Sequence, residues 1–468
     1  MAPSPLFPWL PLVTLLQIFP ISTQLPLLSP LERDSVFQVL HSINSAVPWR
    51  TLFPGDLCSS PPHGLVCDYF FDSPNTTLTL TDPDAAHVVQ MSFGFLSDYS
   101  GNPPCSSSST INPLLFSSFK YLRKLFFYKC FTGPRAVSFS GDTSPAFAST
   151  LEELVFVDNP SLVAPLRTLF ANFTNLKRAI VTGNGVYGQI PERISDSGRI
   201  EEITLSRNRL SGHIPASLSK LKNLKILDLS RNFLDGYAPE SIGNLSELLK
   251  LDISCNRISG RIPESYLNLE KLEFLDVSFN RFGNFGIPEF IWAMPRLKEV
   301  HLSGNMVGGQ IPEIWEKLES LSGIGFSGMG LTGKIPPSMA VNLRSLSYLA
   351  LDGNSLEGKL PPEFELLETL KEINLENNKL SGRVPFSANF SSKIGGKLRL
   401  RGNPELCVDE ELKKVTNGSV LGKMKLCHQS NITEHVFPSG CSSSIMLASA
   451  KFQSFPLIGV LWILLVKF

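Results

Sequence analysis

Leu224-Lys225-Ile226-Leu227-Asp228-Leu229-Ser230-Arg231-Asn232, Leu248-Leu249-Lys250-Leu251-Asp252-Ile253-Ser254-Cys255-Asn256 and Leu272-Glu273-Phe274-Leu275-Asp276-Val277-Ser278-Phe279-Asn280 are one frame written three times. The frame is Leu-x-x-Leu-x-Leu-x-x-Asn, and it recurs every 24 or 25 residues. Earlier copies end at Asn159, Asn184 and Asn208, and later ones at Asn305, Asn354 and Asn378. A partial copy, Leu398-x-Leu400-x-x-Asn403, closes the series, and an opening copy, Leu122-Leu125-Phe127, carries Cys130 where asparagine is expected. A strand sends alternate side chains to opposite faces, so Leu-x-Leu puts two apolar residues on one side. One repeat cannot bury them, but the next, stacked about 4.8 Å away, can. Asparagine offers an amide donor and acceptor where the chain leaves the strand. A column of such amides can satisfy turn backbone groups that stacking removes from water. A fixed period of this length marks a solenoid, and about eleven repeats predict a sheet roughly 50 Å long.

A second consensus follows the asparagine, Leu-x-Gly-x-Ile-Pro. It reads Leu210-Ser211-Gly212-His213-Ile214-Pro215, Ile258-Ser259-Gly260-Arg261-Ile262-Pro263 and Leu331-Thr332-Gly333-Lys334-Ile335-Pro336. Glycine permits a backbone conformation closed to other residues, and proline fixes φ and ends hydrogen-bonded pairing. This signature resembles the plant-specific class of leucine-rich repeats, in which it forms a short second strand and twists the solenoid. The resemblance implies an α/β solenoid: a right-handed plant-type leucine-rich-repeat superhelix with a parallel β-sheet on its concave face and disulfide-stapled caps. The expected order is a signal peptide over residues 1–24, an N-terminal cap over 25–120 and the repeats over 121–405. A C-terminal cap over 406–441 and a hydrophobic tail over 442–468 complete it.

Lysine plus arginine and aspartate plus glutamate number 42 each, which gives no support to a nucleic-acid footprint. An apolar run, Leu10 to Leu16, ends near Ser22 and Thr23 and resembles a secretory signal peptide, although no Lys or Arg precedes it. Sequons at Asn75, Asn172, Asn244, Asn389, Asn417 and Asn431 are candidate glycosylation sites. The cysteines bracket the repeats, as an oxidising compartment would allow, and no CxxC or paired-histidine spacing suggests zinc. Trp49, Cys58 and His63-Gly64-Leu65-Val66-Cys67 resemble the N-terminal cap of plant repeat ectodomains, with Pro62-His63 where that cap often carries Trp. Gly402-Asn403-Pro404-Glu405-Leu406-Cys407 resembles the start of the C-terminal cap. These resemblances suggest pairing Cys58 with Cys67, Cys105 with Cys130 and Cys407 with Cys427, though sequence alone does not fix connectivity. Cys255 is expected as a free thiol within the repeats.

Two stretches narrow the match: His87-Val88-Val89-Gln90-Met91-Ser92-Phe93-Gly94, running on to Ser97-Asp98 and Cys105, and Leu125-Phe126-Phe127-Tyr128-Lys129-Cys130. They resemble the kinase-less plant receptor-like proteins related to TOO MANY MOUTHS and Piriformospora indica-insensitive protein 2. That family implies peptide perception or responses to a root endophyte at the plant cell surface, with a protein or peptide ligand and a receptor-kinase co-receptor. The tail, Phe455 to Val466, is shorter than the roughly 20 apolar residues of a spanning helix. Small residues from Ser439 to Ser444 and a ten-residue spacer before it fit a glycosylphosphatidylinositol signal. A single span and free secretion stay open. The expected location is the extracellular face of the plasma membrane, reached through the secretory pathway.

The residues between the ladder leucines are expected to face solvent on the concave side, among them Phe126, Tyr128, Val155, Ile180, Phe274, Phe279, His301 and Tyr348. Exposed aromatics on a rigid surface make good anchors. The candidate ligand-binding set is Phe274, Phe279, His301, Tyr348 and Glu299. Glu153, Glu202, Glu299 and Glu372 form one acidic column and Asp228, Asp252 and Asp276 another, the aspartates reading as framework. Ser322-Gly323-Ile324-Gly325-Phe326-Ser327-Gly328-Met329 loses the ladder asparagine, and reads as a locally weak repeat in preference to a groove. The insertion Phe282-Gly283-Asn284-Phe285-Gly286 bulges the second consensus. No nucleophile elbow, metal spacing, phosphate loop or kinase segment appears, so neither catalysis nor a cofactor is expected. The rival expectation is a secreted cell-wall or microbial-hydrolase-inhibiting protein.

Overall fold

The computed structural model describes residues 27–71, 84–94, 104–138, 145–170, 173–415 and 421–427. The leader, Ser97-Asp98, the sequons at Asn75, Asn172, Asn417 and Asn431, Cys441 and the tail lie outside the described residues. Fourteen strands form one sheet whose neighbours follow chain order. Leu65–Phe71 pairs antiparallel with Asp84–Gly94. From there to Leu398–Arg399 each pairing is parallel.

The register does not slip from repeat to repeat. Leu227, Leu251 and Leu275 lie opposite one another, followed by Val300, Ile324, Leu349 and Ile373. All seven are fully buried, and burial of each such side chain contributes roughly 1.5–3 kcal/mol. Behind them the asparagines form the expected ladder. Asn256 Nδ2 donates to the carbonyls of Leu229, Ile253 and Ser254 at 3.0, 3.1 and 3.0 Å, and its Oδ1 accepts from the Leu234 N–H at 3.0 Å. In the opening repeat Asn159 Oδ1 accepts from the N–H groups of Cys130 and Phe131, so the cysteine in the asparagine position keeps its backbone satisfied. Met329 occupies the ladder position of the glycine-rich repeat, where Asn354 Oδ1 accepts from its N–H and from that of Leu331.

Each Ile-Pro then turns the chain away from the flank. Pro215 and Pro263 stand extended ahead of 3-10 segments Ala216–Lys220 and Glu264–Asn268, which bury Leu218 and Tyr266. Between ladder and proline, short strands such as Arg209–Gly212 and Phe233–Leu234 pair along the flank.

At the N-terminal end, helix Pro30–Ile43 starts at Ser29, whose side chain accepts from the Glu32 N–H, and Pro30 sits in the first turn. Val36, Phe37, Val39, Leu40 and Ile43 are its buried apolar face. Glu32, also buried, lies 2.8 Å from His87 Nδ1 and accepts from the Val88 N–H at 2.9 Å, which ties the helix to the first parallel strand. Disulfides join Cys58 to Cys67, Cys105 to Cys130 and Cys407 to Cys427. Cys255 is a free thiol whose pKa burial pushes up, the wrong direction for a reactive thiolate. Asn244 and Asn389 are exposed.

Candidate ligand-binding face

Two rows of side chains project from the sheet on the side away from the leucine column. The parallel register orders the first row as Lys124, Glu153, Arg178, Glu202, Ile226, Lys250, Phe274, Glu299, Gly323, Tyr348 and Glu372. The second runs Phe126, Val155, Ile180, Thr204, Asp228, Asp252, Asp276, His301, Gly325, Ala350 and Asn374.

In the N-terminal third the charges neutralise one another. Lys124 Nζ lies 2.8 Å from Glu153, and Arg178 bridges Glu153 at 3.2 Å and Glu202 at 2.8 Å. Burial works against the Arg178 charge, but Glu202 and Glu153 outweigh it and hold the guanidinium's pKa up. Val155 and Ile180 do not face solvent as expected; they are 4% and 2% exposed. Both are short side chains in a row whose neighbours carry longer ones, so they sit below the surface.

The centre is acidic. Asp228, Asp252 and Asp276 are consecutive, and Lys250 Nζ lies 3.2 Å from Asp228 and 3.9 Å from Asp252. Each aspartate also accepts from the backbone N–H and hydroxyl of the serine two residues on. Burial, then the charges of Asp228 and Asp276, push the Asp252 carboxyl well above the usual range.

Next comes a gap. Gly323 and Gly325 leave one strand without side chains on this face, and the neighbouring strand leans into the space. A Cβ on Gly325 would lie 2.5 Å from His301 Nδ1, and one on Gly323 would lie 3.2 Å from Glu299 Cγ. The His301 ring centre is 5.7 Å from Phe274 on one side and 6.4 Å from Tyr348 on the other. The second contact spans the glycine strand, which stands between the strands of His301 and Tyr348. His301 Nε2 is 3.2 Å from Glu299 Oε2. Burial opposes the imidazolium, yet the Glu299 contact and the Asp276 charge prevail and raise its pKa. Burial also raises the Tyr348 phenol, helped by Glu372 and Asp352.

Phe274, Glu299, His301 and Tyr348 therefore form one cluster. Phe279 stands apart on the turn leaving its strand, with φ 51° and a 54% exposed ring lying over Gly304. Sequence reading missed Lys250, whose ammonium lies 5.2 Å over the Phe274 ring, and it missed the two glycines as the cause of the cluster. Comparing equivalent positions across repeats would have exposed both. Away from this face, beyond the asparagine ladder, the hollow lined by Phe282, Phe285 and Val307 holds about 20 Å³, room for one water. A small-molecule site typically needs hundreds.

Residues 198–258 and 222–282 match a family model for the Leucine rich repeat, and residues 345–367 match a second Leucine Rich Repeat model. Piriformospora indica-insensitive protein 2 of Arabidopsis thaliana is 34% identical over 155 residues, 33% of this chain and 33% of that protein. Protein TOO MANY MOUTHS, also of Arabidopsis thaliana, is 32% identical over 154 residues, 32% of this chain and 26% of that protein. The matches thus span a third or less of these relatives' own length. Among solved structures, the ectodomain of the Arabidopsis receptor kinase HAESA in complex with an IDA peptide hormone ligand aligns with a TM-score of 0.50 at 27% identity, over 64% of this chain and 52% of that one. The chain has the fold of the plant-type leucine-rich-repeat ectodomains, and it resembles the plant receptor-like proteins built of those repeats.

Proposed function

We propose that this chain is an extracellular receptor-like protein that binds a peptide or protein ligand on the concave face and engages a receptor-kinase partner at the plant plasma membrane. Phe274, His301 and Tyr348 anchor the ligand, and Glu299 orients His301. One observation carries the reading: this is where the face opens, because two glycines let three rings converge while the charges nearer the N-terminus are paired among themselves. Partly buried aromatics fixed on strands add contact area at low entropic cost. The peptide-bound HAESA ectodomain supports a peptide as the ligand class. The three disulfides favour an oxidising compartment. No helix among the described residues is long and apolar enough to cross a membrane; the proposed attachment at the membrane is through the C-terminal tail.

Affinity capture from plant membranes tests this. The wild-type chain should enrich a peptide ligand or a receptor-kinase ectodomain, and a Phe274→Ala/Tyr348→Ala double variant should recover about a tenth as much. Equal recovery by a correctly folded double variant rejects the site. Enrichment of a microbial wall hydrolase in place of either partner favours an inhibitor.

A further inference from the structure

The flank of the solenoid carries a second surface with a different electrostatic logic. In the middle repeats the residue after the ladder asparagine and the residue after the consensus glycine both point outward there. The first series runs Phe233, Arg257, Arg281 and the second His213, Tyr237, Arg261. All six are exposed, and so is the inserted Phe285. Tyr237 and Phe285 are 74% and 59% exposed, unusual for rings of that size in a folded surface.

Two features separate this flank from the concave face. Its cations are unpaired: among the described residues no carboxylate lies within 4.0 Å of Arg257, Arg261 or Arg281, nor of Lys334, Lys359 and Lys379 further along. The pairs on this flank are His213 with Asp235 at 3.1 Å and, at its far end, Arg383 with Asp409 at 3.0 Å and Lys425 with Glu405 at 3.5 Å. Its guanidiniums are also held in place. Arg257 stacks 5.0 Å over Phe233 and Arg261 stacks 5.1 Å over Phe285. A guanidinium stacked on a ring keeps its N–H edge free to grip a carboxylate in the guanidinium plane. The glycines serve this surface too. Gly260 has φ +85° and its absent Cβ would lie 2.6 Å from Tyr237 Cδ1, so the tyrosine ring packs over the glycine while most of it stays exposed.

We propose that this flank binds a linear acidic polysaccharide built of uronic acid units, such as those of a plant cell wall. Cations and ring faces alternate in files that advance about 4.8 Å per repeat, on an open surface without a deep pocket. A polyuronate presents one carboxylate per sugar and an apolar C–H face that packs on an aromatic ring. The carboxylates pair with Arg257, Arg261 and Arg281, and sugar faces rest on Tyr237 and Phe285. The site is distinct from the concave cluster, and the proposal holds or fails independently of it.

The test uses the full secreted chain and immobilised polygalacturonic acid, with fully methyl-esterified polygalacturonate and poly-glutamate as comparators. Polygalacturonate should retain the chain at low salt, and methyl esterification should abolish retention because it removes the charge. Arg257→Gln/Arg281→Gln should weaken binding about tenfold. Tyr237→Ala should weaken polygalacturonate binding roughly threefold while leaving poly-glutamate binding unchanged. These residues are on the surface, and an unaltered melting temperature identifies variants that remain folded. No retention on polygalacturonate overturns the proposal. So does equal retention on poly-glutamate with no effect of Tyr237→Ala, which would mark a surface for acidic polypeptides.

Discussion

Asp252 shows the repeat frame and electrostatics pulling against each other. The frame needs an acceptor there, because Asp252 Oδ1 takes hydrogen bonds from the N–H and hydroxyl of Ser254 at 3.1 and 2.7 Å. Stacking then lines up three carboxylates, and the middle one is buried with its pKa raised by burial and by Asp228 and Asp276. A raised carboxyl binds its proton more tightly in the folded chain than in the unfolded one. Stability therefore falls as pH climbs from the ordinary aspartate value, about 4, through the raised one, and the cost persists at neutral pH. Asp252→Asn keeps the acceptor and removes the charge. It should melt at a higher temperature than wild type at pH 7, with the gap closing near pH 4. A variant less stable at pH 7 would mean that Lys250 more than offsets the repulsion. Gly325 gives a complementary prediction. Its φ is not among the positive ones, so alanine fits the backbone, but the new Cβ would displace His301. Gly325→Ala should lose ligand capture about as far as His301→Ala, roughly fivefold. Full capture by Gly325→Ala would show that the gap has no part in binding.

At the level of the element, the ladder asparagine does more than end a strand. Asn256 satisfies three carbonyls and one N–H from two adjacent repeats. Asn256→Ala leaves buried polar groups without partners, at about 3 kcal/mol. Urea unfolding measures this, and a loss below about 1 kcal/mol would mean that water replaces the amide. These elements were legible because each obeys a local rule: alternation for Leu251 and Ile253, an amide for Asn256, fixed φ for Pro263. The rows across the sheet were only partly so. The column of Glu153, Glu202, Glu299 and Glu372 emerges from counting, and the register places all four in one row. Lys124 and Arg178, the partners of Glu153 and Glu202, become visible only when position is compared across repeats. Depth was not legible at all: Val155 occupies the same kind of position as His301, yet it is buried, because exposure there depends on the lengths of neighbouring side chains. The glycine repeat shows the same limit. Along the chain it reads as weakness, whereas across the sheet it makes room for the His301 ring.

For the whole repeat region, stability is a chain of nearest-neighbour interfaces, so the ends are where cooperativity can fail. The three disulfides all lie at those ends. Cys58–Cys67 and Cys105–Cys130 hold the first strands, and Cys407–Cys427 closes the last repeat. Closing a loop of 20 residues, the separation of Cys407 and Cys427, contributes about 3 kcal/mol through the unfolded state. In a solenoid that contribution should be felt locally. A Cys407→Ser/Cys427→Ser variant should lose amide-exchange protection first in the strands Glu372–Asn374 and Leu398–Arg399. Protection should fade over one or two repeats, while the strands Ile226–Asp228, Lys250–Asp252 and Phe274–Asp276 keep theirs. The Phe274–His301 contact would survive, but Tyr348, two strands inward from the fraying end, would be partly released. Ligand capture should then fall by less than in Phe274→Ala. Uniform loss of protection from end to end would mean that the sheet unfolds as one unit, and that the stacked interfaces are coupled beyond their nearest neighbours.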